Sequence, residues 1–376
     1  MKKRIGLYAL LVIAALCFFT ALYACNIELF QGKSALSSEP SLSTFTGELD
    51  LYEKLNMSSE QNLRLLDATP EKILYEVVEE RMSEVPVFEG IADHTCKVGV
   101  YLWKEQTISF ETSFEENLYI SSGTIQDDRI FLVGIVLDER DDHFKILECD
   151  PSGTNLKMEG TTIPYFTQWP ELCPWNDREE VLLWIPYRDA DGKNQAQIYL
   201  ISQNKTKELQ PPFAGELLSG NDLLFDKNSL LTFWEIENTG KFLRWDLKET
   251  VQTYPLPEEK RILDYVLIKD GVLASLQTDE IHSELCFLPF EGDDIISLPS
   301  IPLFRMTVKS DQNVFCVDGR FQLYEILLGQ DNITLTPIDL SSWIDPSGVA
   351  IISILSVGDG SILIQIENQG KILVFQ

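Results

Sequence analysis

Three histidines and seven cysteines limit the metal and general-base chemistry this chain can perform. His94 sits in Asp93-His94-Thr95-Cys96, where three ligand types meet, but a zinc site needs further ligands that this short cluster lacks. A solvated loop histidine is expected there. His143 and His282 fall beside hairpin turns, where exposed polar residues belong. Asp189-Ala-Asp-Gly-Lys-Asn194 alternates oxygen ligands as a calcium loop begins, yet the distal bidentate glutamate is missing. A plain turn is the expectation, with no metal and no cofactor. No nucleophile elbow, metalloprotease helix, phosphate-cradling glycine loop or dinucleotide fingerprint occurs, so no residue is assigned a catalytic role and a non-enzyme is expected. The run from Gln168 to Asp177 holds two tryptophans and two prolines. Trp169 and Trp175 are candidate ligand contacts, since aromatic platforms beside acids suit a sugar or peptide. The competing reading is that both pack between sheets.

The cysteines divide by context. Cys17 lies in an apolar run and Cys25 ends it, leaving Cys96, Cys149, Cys173, Cys286 and Cys316 without C-x-x-C or regular spacing. Most occupy apolar strand-like stretches such as Val314-Phe315-Cys316-Val317, where a free thiol behaves as a small hydrophobe. Across 376 residues, 44% are hydrophobic, and 59 acids against 30 bases give a formal charge of −29. That supports a substantial core and excludes a disordered chain. It also disfavours nucleic acid, whose binding draws on clustered Lys and Arg.

The N-terminus carries an address. Lys2, Lys3 and Arg4 precede a run from Ile5 to Ala24 without a charge, the n-region and h-region of a secretory signal. The run closes on Leu22-Tyr23-Ala24-Cys25, which resembles a bacterial lipobox. The resemblance implies a signal peptide over residues 1–24 and lipidation of Cys25, which would become the mature N-terminus. Tyr23 departs from the small residue usual at its position. An uncleaved signal anchor is the alternative, because about 20 apolar residues can span a bilayer. Both place the remaining chain on the extracytoplasmic face of the cell membrane. Residues 25–60 read as a flexible tether, with Gln31 to Thr46 rich in serine and poor in large apolar side chains. Residues 61–92 read as a helical segment: Thr69-Pro70-Glu71 offers a helix start, and Ile73, Leu74, Val77, Val78 and Met82 recur on one helical face, with Glu76, Glu79, Glu80 and Glu84 opposite. Pro86 ends it.

From residue 130 onward one pattern recurs six times, an apolar strand, an Asp, Asn or Gly turn and a second strand. The hairpins are 130–150, 181–202, 230–247, 272–290, 313–327 and 361–376. Candidate outer strands follow five of them, at 156–163, 205–210, 250–256, 294–298 and 333–338. Inner candidates precede them, for example 262–269, 304–310 and 350–357. Four strands in about 40–50 residues is propeller-blade spacing. The last hairpin reaches Gln376 without an outer strand. Ring closure therefore calls for an N-terminal segment, for which residues 98–111 are the candidates.

This pattern resembles a six-bladed, TolB-like β-propeller spanning residues 98–376, as found in some bacterial surface lipoproteins. It lacks the Gly-His to Trp-Asp signature of WD40 repeats and the Pro-Asp-Gly turn of TolB-like ones. Residues 98–111 as a hairpin of their own would make seven blades, and a pair of β-sandwiches is the non-propeller alternative. A fold acts only through its sites, and no reactive site is evident. A membrane-tethered binding or scaffolding lipoprotein with a protein, peptide or glycan ligand is therefore expected, any small-ligand site lying at the mouth of the central channel where loops converge. Two alternatives stand beside it: a glycan-active enzyme, for which two carboxylates would suffice, and an accessory subunit of an envelope transporter or sensor.

Overall fold

The computed structural model describes residues 42–376, apart from 59, 82–92, 115–117, 137–142, 162–169, 176–179, 203–204, 211–215, 218–223, 227–228, 237–238, 248–250, 256–259, 269, 280–281, 292–294, 330–331, 344–350 and 367–370. The chain is all-β, with one four-residue helix, α1 (Leu51–Lys54), among the described residues. None of those residues forms a helix long and apolar enough to cross a membrane.

Seven antiparallel sheets follow one another along the sequence. Sheet 1 holds β2 (Gln61–Ala68), β3 (Lys72–Arg81), β4 (Asp93–Leu102) and β5 (Thr107–Phe114). Sheet 2 holds β6 (Leu118–Gln126), β7 (Arg129–Val136), β8 (His143–Asp150) and β9 (Gly153–Thr161). Sheet 3 holds β10 (Glu171–Trp175), β11 (Glu180–Arg188), β12 (Asn194–Ser202) and β13 (Lys205–Leu209). Sheet 4 has a divided first strand, β14 (Glu216–Leu217) and β15 (Leu224–Asp226), both paired with β16 (Ser229–Ile236), then β17 (Thr239–Trp245) and β18 (Val251–Pro255). Sheet 5 holds β19 (Arg261–Ile268), β20 (Gly271–Gln277), β21 (Ser283–Pro289) and β22 (Ile296–Ser300). Sheet 6 holds β23 (Leu303–Ser310), β24 (Asn313–Asp318), β25 (Leu323–Leu328) and β26 (Ile333–Pro337). Sheet 7 holds β27 (Ile351–Ser356), β28 (Ile362–Ile366) and β29 (Lys371–Phe375). Its fourth strand is β1 (Phe45–Asp50), from the other end of the chain.

All six expected hairpins form, and their flanking strands lie where the repeat placed them. The N-terminal third differs in three respects. Residues 61–92 were expected to be helical, but β2 and β3 occupy 61–68 and 72–81; residues 82–92, with Met82, Glu84 and Pro86, lie outside the described residues. Ile73, Leu74, Tyr75 and Val77 are all buried because a second strand is covered by neighbouring sheets on both faces, and such a strand shows no period-2 alternation. Glu76, expected on a solvated face, is 2% exposed and paired with Arg64 at 2.7 Å. The apparent helix start is a hairpin turn. Thr69 Oγ1 does accept from the amide three residues on, Lys72 N–H, at 3.1 Å, but Thr69 N–H also donates to Lys72 O at 2.8 Å. Of the expected tether, residues 45–54 hold β1 and α1, and residues 25–41 lie outside the described residues. The closing strand is residues 45–50, whereas residues 98–111 fall in β4 and β5 of a complete additional sheet.

Seven apolar clusters lie between successive sheets. Leu74, Val98, Ile120 and Leu132 join sheets 1 and 2, Phe131 and Leu183 join 2 and 3, and Trp184 and Trp245 join 3 and 4. Phe242 and Tyr265 join 4 and 5, Leu273 and Val314 join 5 and 6, and Phe315 and Ile364 join 6 and 7. Leu65, Tyr75, Leu363 and Ile372 then pack sheet 7 onto sheet 1. Second strands feed two clusters alternately: Ile130 and Leu132 face one way, Phe131 and Val133 the other. That is why their sequences read as continuous apolar runs.

The close packing leaves no room at Gly271. A Cβ there would lie 2.3 Å from the Leu288 carbonyl oxygen, a backbone atom that cannot swing aside. Gly271→Ala is expected to cost about 1–3 kcal/mol. A denaturation midpoint unchanged from the parent protein would contradict this packing.

Candidate functional site

Polar side chains on the first strands stitch four pairs of neighbouring sheets together, and the strands' direction sets where the loops emerge. Asp67 of β2 accepts from Ile125 N–H at 2.8 Å and Thr124 Oγ1 at 2.9 Å. Asp264 of β19 accepts from Met306 N–H at 2.8 Å, and Ser122 of β6 accepts from Leu172 N–H at 3.1 Å. Thr307 of β23 donates to Ile354 O at 3.0 Å. Four of these crossings lie where the register shifts: 65/67, 120/122, 262/264 and 304/307. A bulge turns a side chain out of the regular alternation and toward the neighbouring sheet. Contacts spanning one junction advance together. Arg64 reaches Ile120 O while Asp67 reaches Ile125, and Arg305 reaches Ile351 O while Thr307 reaches Ile354. First strands of neighbouring sheets therefore run the same way, and their first hairpin turns emerge at one common end.

That end is acidic. The described first turns carry Glu71 in sheet 1, Asp127 and Asp128 in sheet 2, Asp270 in sheet 5, Asp311 in sheet 6 and Asp359 in sheet 7, all exposed. Lys72 partly offsets one of them, donating to Asp127 O at 2.6 Å and to Asp128 Oδ1 at 2.9 Å. This contact holds the Asp128 carboxyl below its ordinary range. Glu105 and Glu291, in the third turns of sheets 1 and 5, add exposed acids at the same end. The opposite end also carries exposed acids, among them Asp191 in sheet 3, Asp279 in sheet 5 and Asp339 after sheet 6, but it differs at the second turn of sheet 6. There the Arg305 guanidinium lies 5.7 Å from the ring of Phe321, which is 38% exposed. Both residues have positive φ, 52° and 62°, a conformation in which bulky side chains are strained.

The sequence candidates distribute unevenly over this frame. Cys25 and Trp169 lie outside the described residues. Trp175 is 8% exposed and packs with Leu182, Trp184 and Trp245 between sheets 3 and 4. This burial matches the packing reading, in which the junction takes a large apolar ring to fill it. Asp189 Oδ1 accepts from Asp191 N–H at 3.0 Å and Lys193 N–H at 2.9 Å, and Gly192 supplies a positive φ of 81°. Its side-chain oxygen is spent on the hairpin turn. His282 Nδ1 pairs with Asp279 at 2.8 Å within another turn, and His143 Nε2 lies 3.2 Å from Glu159 across β8 and β9. His94 lies in β4. Among the described residues no His, Cys, Asp and Glu group could hold a metal ion.

None of the five described cysteines forms a disulfide, and four of them are buried. Burial pushes the Cys96 thiol up to about 12 and the Cys286 thiol up to about 11. Neither is a thiolate near neutral pH, which is what a nucleophilic cysteine requires. Sequence reasoning missed the polar stitches and the acidic turns. The turns were legible as Asp-Asp, Lys-Asp, Asp-Gln and Gly-Asp-Gly between paired strands; that they share one end depends on the common direction of the first strands.

No family model matches the chain, and no curated protein does. A solved prolyl endopeptidase structure aligns with 82% of this chain at 11% identity and a TM-score of 0.55, and the chain spans only 47% of that protein. The N-terminal domain of Nup159 aligns over 90% of this chain and 96% of its own length, at 12% identity and a TM-score of 0.48. An acylaminoacyl peptidase of Pyrococcus horikoshii covers 70% of this chain, which spans 44% of it, at 12% identity and a TM-score of 0.46. The likeness to the prolyl endopeptidase is one of fold, a β-propeller scaffold.

Proposed function

We propose that this chain is an extracytoplasmic lipoprotein whose domain is a seven-bladed propeller acting as a binding or scaffolding module for a basic protein or peptide. The observation that carries the reading is the acidic end, where exposed acids from five sheets gather around the turns nearest the first strands. A surface of one sign raises the local concentration of oppositely charged partners and steers their approach. The formal charge of −29 points the same way. Seven sheets and seven intervening clusters, the last returning to sheet 1, support seven blades over six. The lipobox-like end at Cys25 supports the anchor, and the first described contacts with the sheets come from Ser43, leaving residues 26–42 between anchor and domain.

Titration with an oligolysine peptide tests the binding face. The fivefold amide variant Glu71→Gln, Asp128→Asn, Asp270→Asn, Asp311→Asn and Asp359→Asn is expected to weaken binding about tenfold at low salt, from a few tenths of a kcal/mol per charge. Asp191→Asn with Asp279→Asn, at the opposite end, should leave it unchanged. Binding should also weaken as salt rises. Equal losses in both variants, or no loss in either, would remove the acidic end from consideration. Replacing Cys25 by Ala should separately abolish incorporation of labelled lipid.

A further inference from the structure

The closing strand is held by more than its own sheet. β1 pairs with β29 from Phe45↔Phe375 to Asp50↔Lys371, and Thr44 and Gln376 exchange both backbone hydrogen bonds at 2.8 and 2.9 Å. One residue further out, Ser43 is gripped by sheet 6. Its N–H donates to Glu325 Oε2 at 2.9 Å and its Oγ to Glu325 Oε1 at 2.5 Å. Lys309 Nζ donates to the same hydroxyl at 2.6 Å. Asn313 Nδ2 holds Glu325 Oε1 at 2.9 Å, and Glu325 is 1% exposed. A buried carboxylate is tolerated only where donors satisfy it, and here two of its donors belong to Ser43, two residues ahead of β1. Phe45 then stacks on Trp343, which follows sheet 6, with ring centroids 4.4 Å apart, and meets Phe375 of β29 edge-on.

We propose that Ser43, Glu325, Lys309 and Asn313 form a mechanical clamp that takes tension arriving along the chain from its N-terminal side before that tension reaches the β1–β29 ladder. Pulling on an antiparallel pair from the end where both chains emerge breaks its hydrogen bonds one after another, a weak geometry. A charge-assisted socket placed ahead of the first ladder bond must fail before that peeling starts. The same socket ties sheet 6 to the strand that completes sheet 7. While it holds, the ring stays closed under load. The biological use of the clamp rests on the tethered reading above, but its existence does not. Lipid labelling of Cys25 tests the anchor alone, and the experiment below tests the clamp alone.

The full chain would be stretched in a single-molecule force experiment between its N-terminus and residue 191, so that the load enters through Ser43 and β29 is not pulled directly. The expected record has a separate first event that releases roughly 60 Å of chain, the extended length of residues 43–60, before the remaining sheets unfold. Glu325→Gln and Ser43→Ala should each speed that first event about 10–100-fold at a given force. Neither should change unfolding when the handles are placed at residues 191 and 376, which leaves the clamp unloaded. Ser43→Ala keeps the test valid if Glu325→Gln fails to fold. A record without the early event, an early event indifferent to both variants, or equal weakening in both pulling directions would overturn the proposal.

Discussion

A chain ending at Gly370 is expected to lose its cooperative unfolding transition altogether. The truncation removes β29, the strand between β28 and β1 in sheet 7. Ile372 and Leu373 are fully buried, Phe375 is 1% and Val374 8% exposed. At about 1.5–3 kcal/mol for each buried side chain, the four together contribute roughly 6–12 kcal/mol, which rivals the whole stability of an ordinary domain at about 5–15 kcal/mol. The loss has a second component. β28 and β1 would each face an empty position, and two unpaired edges invite association with other chains. Circular dichroism during thermal melting, with size-exclusion chromatography, would measure both. A truncated protein that melts like the parent and stays monomeric would show that sheet 7 is not closed by its N-terminal strand.

Gln365→Leu should cost about 2–6 kcal/mol although it changes the side-chain volume little. Gln365 is 1% exposed on β28 and spans the junction at which sheet 7 meets sheet 1. Its Nε2 donates to Leu63 O at 2.6 Å, and its Oε1 accepts from Leu65 N–H at 3.1 Å. Leucine would leave both backbone groups buried without a partner, at about 1–3 kcal/mol each. The exposed Gln210 on sheet 3 serves as the control, and its change to leucine should stay within about 0.5 kcal/mol. Similar denaturation midpoints for the two variants would mean that the junction is held by apolar contacts alone.

The repeat was legible because each sheet keeps its central strands apolar. Runs such as Ile130 to Val136 and Asn313 to Asp318 are covered on both faces, so selection for burial writes them plainly into the sequence. The turns between them were legible for the same reason in reverse, since Asp189 and Gly192 supply local hydrogen bonding and a positive φ. Sheet 1 misled because its apolar spacing from Ile73 to Val78 fits a helix as well as a doubly covered strand. Thr69 caps the amide three residues on in either structure. Only the partner strands β2 and β4 decide between them, and β4 begins beyond an interval that sequence reasoning gave to a helix and its end.

The sequence by itself determined the all-β class, the hairpin repeat, the acidic character and the need for an N-terminal strand to finish the last sheet, because these depend on local periodicity, turn chemistry and charge. Tertiary structure decided which strand that is, and the choice rests on long-range pairing: β1 meets β29 more than 300 residues away in sequence, and Ser43 meets Glu325 across 282 residues. It also decided that Trp175 is core, that Glu76 and Glu325 are buried beside specific partners, and that turns scattered along the chain share one acidic end. A side chain's type limits what it can do, but which neighbours satisfy or expose it is fixed only when sheets far apart in sequence pack together.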